Sequence, residues 1–384
     1  MIRKLAISEK LFYQRAWIEI DHEALIHNIT EIQKLITPNI QLMAVIKADA
    51  YGHGAVSLAK TMVGHGINFM AIATLIEGIE LREAGIEAPI LVLGALNTEQ
   101  EAEVLVDWDL QPTLSNFQQA LVISQVASKK NKQQAVHLKI DTGMSRLGCR
   151  FEDTLDFFQS VKSLSNLKVA SLYSHFATAD EPNLTIMLEQ KEKFEHAIQT
   201  IVEAGIEIPL LHFANSAATL SNPQMHYDLV RVGLSLYGIH PATHLEDKIE
   251  LQPVLQVKAR ITQIKSISAG TGVSYGHQFV SPKALTIATV GIGYADGLPR
   301  NLSNKLKVLL RGQWVRQVGA ITMDQLMVDV TEIENVQPGE IITLIGGDGQ
   351  LKISAQDWAN QLGTIPWEIL CGFKHRLPRI NLNL

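Results

Sequence analysis

The chain has 384 residues, 46% hydrophobic and 19% charged, with a formal net charge of −6. That profile belongs to a folded protein with room for more than one buried core, and it excludes a disordered chain. The absence of any long basic run argues against binding a nucleic-acid backbone. Two cysteines, Cys149 and Cys371, cannot build a disulfide framework, so a reducing compartment is the natural reading.

The amino-terminal stretch carries scattered charges and no apolar run of signal-peptide length, and no stretch is long enough to cross a bilayer. The expectation is a cytoplasmic protein with no membrane partner. From Leu42 onward, short apolar runs alternate with amphipathic helical patterns. The runs are LMAVIK from Leu42, FMAIA from Phe69, ILVLG from Ile90 and the weaker LQPTL from Leu110. VHLKI from Val136, VASLYSH from Val169, LLHFA from Leu210 and DLVRVG from Asp228 follow. Between them, Glu99–Val106, Thr154–Val161 and Leu188–Ala204 place apolar residues at helical spacing. Strands apolar almost throughout fit a parallel sheet covered on both faces.

These units predict an α/β fold, a closed (β/α)₈ TIM-type barrel over residues 15–248, with an open doubly wound sheet as the competitor. Polar residues favour the barrel, because they sit at or just after the carboxyl ends of the runs, where barrel enzymes place their chemistry. They are Lys47, Lys139, Asp141, His175, Asn215, Ser216 and Arg231. After about Leu251 the texture turns β-rich, with SAGTG and GGDG as turn signals. This predicts a mostly antiparallel β domain over 249–384, to which residues 1–14 are expected to be joined.

Chemistry begins at AVIKADAYGHG. A lysine at the mouth of a barrel is partly desolvated, which lowers its pKa and favours imine formation, whereas a solvated lysine capping a strand is the plain alternative. In RVGLSLYG, Gly233 can let backbone N–H groups approach an anion, and ANSAA offers the hydroxyl of Ser216. Each feature alone more often means a turn. Together with an imine-capable lysine they suggest an aldehyde cofactor bearing a phosphate.

The sequence resembles alanine racemase, a fold-type III pyridoxal-phosphate family, across nearly its whole length. The matching motifs are AVIKADAYGHG, LKIDTGMSRLG, YSHFATAD, HFANSAA, RVGLSLYG, GVSYGH, IGYADG and ITMDQ, in the family order. The resemblance implies a racemase interconverting L- and D-alanine for cell-wall precursors. Lys47 would hold pyridoxal 5'-phosphate as an imine and act as one base. Tyr51, Ser216, Gly233 and Leu234 would hold the phosphate. Arg231 would hydrogen-bond the pyridine nitrogen, and an arginine cannot take the proton there as a carboxylate would. Tyr275, reaching in from the second subunit of a homodimer, would be the opposite base, tuned by His175 through its link to Arg231. The plain alternative for Tyr275 is a turn tyrosine.

Arg146 would contact the cofactor's phenolic oxygen and the substrate carboxylate, which the backbone at Met323 would also receive. Lys139 matches a position carrying a carbamylated lysine (N6-carboxylysine) in many family members; a lysine paired with Asp141 is the alternative. His212 is read as supporting Arg231, with Asn215, Tyr294 and Asp324 as further supporting residues. No spacing of histidines and carboxylates suggests a metal site. Cys371 reads as core, and Trp17, Trp314, Trp358 and Trp367 as packing residues.

Two positions depart from the family pattern. In LCGFKHRLPR, His375 stands where a tyrosine usually helps to hold the phosphate and narrows the entrance; imidazole is shorter and can titrate near neutrality. Thr322 stands where many relatives have cysteine. Alternatives are a serine or broad-specificity amino-acid racemase, a fold-type III decarboxylase, which would place a cysteine near the cofactor, and a pyridoxal-phosphate carrier protein lacking the β domain.

Overall fold

The computed structural model describes residues 14–384, so all but the last residue of the 1–14 segment lies outside the description. The chain divides into two compact units. One contains Ala24–Ala50 and Ala55–Gln252; the other contains the stretch ending at Glu23, Tyr51–Gly54 and Pro253–Leu384.

The second unit begins with strand β1 (Ala16–Asp21). The first unit is the barrel. Its strands are β2 (Gln41–Val45), β3 (Phe69–Ile72), β4 (Ile90–Val92), β5 (Gln111–Leu114) and β6 (Gln134–Asp141). The short β7 (Cys149–Arg150) pairs beside β6, and β8 (Leu167–Tyr173), β9 (Leu211–His212) and β10 (Leu229–Val232) follow. Consecutive barrel strands pair in parallel, and β10 returns to pair with β2. Closure across β9 and β10 rests on backbone bonds from Asp228 N–H to Leu211 O and from Arg231 N–H to Ala214 O, both 3.0 Å. All eight apolar runs therefore form the ring, and the closed barrel prevails over the open sheet.

Helices cover the outside for local reasons. Thr74 and Glu77, and Thr98 and Glu101, form capping boxes that satisfy the first free N–H groups of helices Leu75–Glu83 and Glu99–Asp107. Helix Thr154–Lys162 buries Phe157, Phe158 and Val161 on one stripe.

The second unit is built on the thirteen-residue β11 (Leu255–Ile267), which pairs antiparallel with β1. The two-stranded ribbon β12 (Gly272–Val273) and β13 (Phe279–Val280) follows. Next come β14 (Leu285–Val290), β15 (Lys307–Leu310), β16 (Gln313–Gln317), β17 (Leu326–Asp329), β18 (Ile341–Asp348), β19 (Leu351–Ile353) and β20 (Arg379–Leu382). β11 pairs with both β14 and β18, so the mostly antiparallel sheet curls back on itself; the β1–β20 pair is parallel. Trp17 and Trp358 are buried as expected, whereas Trp314 is 49% exposed on β16 and does not pack as a core residue. Cys371 is half-buried rather than core.

Candidate active site

Lys47 lies two residues beyond the end of β2, at the carboxyl end of the barrel strand. The backbone after it is unusual. Ala48, Asp49, Ala50 and Tyr51 all have φ between 52° and 54°, and Gly52 follows at 81°, so this is a single left-handed helical turn. Each non-glycine residue there costs roughly 1–2 kcal/mol, and the turn persists only where neighbours over-determine it. In the barrel unit Glu77 does much of this. One carboxylate oxygen accepts from Ala48 N–H at 2.6 Å, and the other from Ala73 N–H at 2.7 Å and Thr74 N–H at 3.1 Å. Asp49 adds a bond from Ala55 N–H at 2.7 Å. Sequence reading missed Glu77 as part of the site; its only local signal was the capping box after Thr74.

The carboxyl ends of the other barrel strands gather a cluster of cations. Lys139 on β6 is buried, with its ammonium 5.0 Å from the centre of the Tyr173 ring. Burial first, and then the charges of Arg231 and Arg146, push its pKa down to about 7; Lys47 acts in the same direction and Asp141 opposes it. Asp141 is occupied otherwise, since its Oδ1 accepts from Gly143 N–H at 2.9 Å and Ser145 N–H at 3.0 Å, shaping the loop that carries the exposed Arg146.

Arg231 on β10 is buried, and burial lowers its pKa to about 10, which leaves it a cation at neutrality. Its guanidinium donates to Ser174 O at 2.7 Å, Phe213 O at 3.1 Å, His212 Nδ1 at 2.8 Å and His175 Nδ1 at 3.1 Å. Arginine has no acceptor, so both histidines accept at Nδ1 and, when neutral, carry their proton on Nε2. Burial and the adjacent Arg231 charge hold both well below the ordinary histidine range.

Ser216 and Gly233 meet directly: Gly233 N–H donates to Ser216 Oγ at 3.1 Å. Asn215 caps the short helix Ser216–Ser221 by accepting from Ala218 N–H at 3.0 Å. Leu234 is buried at the start of the 3₁₀ turn Leu234–Tyr237, and the Tyr237 hydroxyl donates to Val45 O at 2.9 Å, close to Lys47 in sequence. The barrel unit thus brings together Lys47, Lys139, Arg146, His175, His212, Asn215, Ser216, Arg231, Gly233 and Leu234.

The second unit holds the remaining candidates. Tyr51 is buried there, and burial raises its phenol well above the ordinary range. Arg379, which sequence reading also missed, donates to Gly52 O at 3.1 and 2.8 Å and to Phe373 O, Lys374 O and Leu377 O at 2.6–2.8 Å. It thereby staples Tyr51–Gly54 to the turn on which the exposed His375 lies. Gly52 must be glycine twice over, for its positive φ and because a Cβ would stand 2.5 Å from Leu370 O.

Tyr275 is 74% exposed, between β12 and β13. It follows Ser274, whose φ of 63° and ψ of −171° fall in a region otherwise left to glycine. A bond from Ser274 Oγ to Ala320 O at 2.7 Å holds that strain. A groove of about 590 Å³ carries Tyr275, His277, Thr322 and Gln325 on its walls. Tyr294 N–H donates to Thr322 O and Ala295 N–H to Met323 O, at 2.9 and 3.0 Å, which fixes the Met323 segment. Fully buried Asp296 pairs with Arg15 at 2.6 Å and accepts from Gly293 N–H at 2.9 Å, and Asp324 pairs with Arg376.

A closed barrel with cations at the carboxyl ends of its strands has the architecture of a barrel enzyme whose ligand carries anionic groups, and the antiparallel unit presents a tyrosine from a strained turn. Residues 20–241 match the family model for the alanine racemase N-terminal domain, and residues 254–381 that for its C-terminal domain. The alanine racemase of Synechocystis is 59% identical over 96% of this chain and 99% of that protein. An alanine racemase structure from Clostridium difficile superposes with a TM-score of 0.93 at 35% identity, covering 96% of each chain. A histidine racemase from Leuconostoc mesenteroides subsp. sake gives a TM-score of 0.89 at 30% identity, over 97% of this chain and 99% of that one. The chain belongs to the alanine racemase family, enzymes that interconvert L- and D-alanine.

Proposed function

We propose that the interconversion of L- and D-alanine uses bound pyridoxal 5'-phosphate and two opposed proton-transfer groups, Lys47 and Tyr275. The observation that carries this reading is the cation cluster of Lys47, Lys139, Arg146 and Arg231, whose mutual repulsion is felt at Lys139 and at His175. Such a cluster fits a ligand supplying several anionic or acceptor atoms, as a phosphate, a phenolic oxygen, a pyridine nitrogen and a carboxylate do. Lys47 would form the imine link to the cofactor carbonyl. Tyr51, Ser216, Gly233, Leu234 and His375 would hold the phosphate, and Arg231 the ring nitrogen. When bound, pyridoxal phosphate supplies an electron sink that acidifies the α-C–H of the attached amino acid.

Arg146 and the backbone at Met323 orient the substrate carboxylate, so that the α-C–H points at one base or the other. Lys47 Nζ and the Tyr275 hydroxyl each remove or return the α-proton, one on each face. The exposure of Tyr275 supports its donation to a second copy of the chain in a homodimer. An N–H on His175 Nε2 would stabilise the phenolate form and bring the tyrosine, ordinarily near pKa ~10, into working range. Asn215, Tyr294 and Asp324 support the phosphate and carboxylate segments. A deprotonated Lys139 amine can attack carbon dioxide: the N–C bond forms, a proton leaves to water, and a carbamate anion then faces Arg146 and Arg231. We place the enzyme in the cytoplasm, supplying D-alanine for cell-wall precursors. Among the described residues, no helix is long and apolar enough to cross a membrane.

The test is exchange of the α-proton of L-alanine in D₂O, with chiral analysis of the product. Deuterated D-alanine is expected, together with a violet absorption band lost in Lys47→Ala. Carbon dioxide release from a basic amino acid would overturn the reading in favour of a decarboxylase, and binding without exchange in favour of a carrier. A serine or broader racemase is the second reading, favoured by His375 at the expected entrance. A clear preference for serine over alanine in kcat/KM would establish it.

A further inference from the structure

Behind Arg231 a hydrogen-bond chain runs through the barrel interior. His212 Nε2 lies 2.7 Å from Ser171 Oγ, Ser171 Oγ lies 2.6 Å from His137 Nδ1, and His137 Nε2 lies 2.8 Å from Gln111 Oε1. Each member comes from a different strand: Arg231 from β10, His212 from β9, Ser171 from β8, His137 from β6 and Gln111 from the first residue of β5. Ser171, His137 and His212 are buried.

The donor inventory admits one proton arrangement. Arg231 can only donate, so His212 Nδ1 accepts and its Nε2–H donates to Ser171. Ser171 must then give its own proton to His137 Nδ1, which puts the His137 proton on Nε2, facing an amide oxygen rather than the amide nitrogen of Gln111. Burial pushes His137 down to about 3 and holds His212 far below its usual range, in keeping with two neutral rings. Every bond points away from Arg231, so each ring turns the negative end of its dipole toward the guanidinium, and the bonds polarise one another in the same sense. Tyr173, stacked on His212 at 4.6 Å and 5.2 Å from the guanidinium, keeps the ring plane fixed.

We infer that Gln111, His137 and Ser171 are positioning residues for the racemisation reaction, forming a one-way chain that fixes the His212 ring and through it the orientation of Arg231. The inference rests on Arg231 facing the cofactor, and these three residues touch neither cofactor nor substrate. The chain is driven from the arginine end. Cutting it at Ser171 should therefore free the ring beyond the cut and leave the ring before it unchanged in tautomer.

The experiment is nitrogen-15 NMR of histidine-labelled full-length holoenzyme between pH 6.5 and 8. Both His137 and His212 are expected as neutral Nε2–H tautomers in the wild type. In Ser171→Ala, a volume-conserving change, His137 should become a mixture of tautomers, because the Gln111 amide can turn either end to it. His212 should stay Nε2–H while its ring resonances move. The same variant should lose about fivefold in kcat with KM unchanged, the scale of one neutral hydrogen bond. An Nδ1–H or doubly protonated ring in the wild type, a His137 still fixed in Ser171→Ala, or an unchanged kcat would each overturn the inference. Gln111→Met provides an independent cut at the far end, with His212 again expected to keep its tautomer. A wrong cofactor reading would show instead as a missing violet band, on which the ring resonances do not depend.

Discussion

Lys139 offers a direct test of the charge cluster, because its burial couples folding to pH. Its pKa is about 7 in the folded chain against 10.5 for an ordinary exposed lysine. Between these values the unfolded chain holds a proton that the folded chain has released, so stability rises with pH there; below pH 7 the burial penalty acts in full. One proton is worth about 1.4 kcal/mol per pH unit, so Lys139 alone contributes a rise of roughly 2 kcal/mol between pH 7 and 8.5 in carbon-dioxide-free buffer. The lowered histidines His137, His175 and His212 contribute only below their unfolded pKa near 6.5, where acid destabilises the fold. Cys149, raised to about 12, acts in the opposite sense and only above about pH 9. The assay is the urea midpoint of the apoenzyme across the window, wild type against Lys139→Met. The variant should be more stable at pH 7, and the gap should close as pH rises. Adding bicarbonate should raise the wild type alone, since a carbamate forms only on the folded chain's lysine. Identical pH slopes in the two proteins would refute the placement of buried Lys139 beside Arg231 and Arg146.

Tyr275→Phe should lower kcat unequally in the L-to-D and D-to-L directions, with KM shifting so that kcat/KM falls equally in both, because in the proposed mechanism each direction starts from a different base; near-wild-type rates both ways would remove Tyr275 from the mechanism. Ala48→Gly, at φ 54°, should gain about 1 kcal/mol by relieving a left-handed residue at the entropic cost of glycine, and a loss of that size would show the turn to be unstrained. Glu77→Ala leaves three backbone N–H groups without their carboxylate and should cost about 2–4 kcal/mol in denaturant stability along with kcat. Gly293→Ala would set a Cβ 2.3–2.4 Å from the carbonyl oxygens of Thr322 and Met323, so the KM for alanine should rise; an unaltered KM would exclude the Met323 segment from substrate binding.

Much of this architecture was legible because its physics is local. A strand buried on both faces is a largely apolar run, and seven of the eight barrel strands carry that mark clearly, β5 (Gln-Pro-Thr-Leu) only weakly. Polar residues ending such runs stood out against it, which is how Lys47, Lys139 and Arg231 became candidates. What escaped depends on partners far away in the chain. Nothing in Ala-Asp-Ala-Tyr announces a left-handed turn, since the groups that hold it come from Glu77, 29 residues from Ala48, and from Arg379, 327 residues from Gly52. His137, Ser171 and Gln111 likewise carry no joint signal in the sequence, because it takes three different strands to bring them into line. Trp314 is expected to pack because size alone predicts burial, whereas on β16 it stands half exposed.

The membership of Tyr51–Gly54 in the second unit bears on how the enzyme is made. These four residues emerge from the ribosome early, yet their staple, Arg379, is synthesised 327 residues after Gly52. At 5–20 residues per second, roughly half a minute of translation separates the two. A nascent chain can therefore build most of its barrel strands while the turn beside Lys47 still lacks the contacts that hold its far end. The turn after Lys47 is held at its far end only once Arg379 has been made, so a chain terminated before that residue would retain barrel strands without the staple.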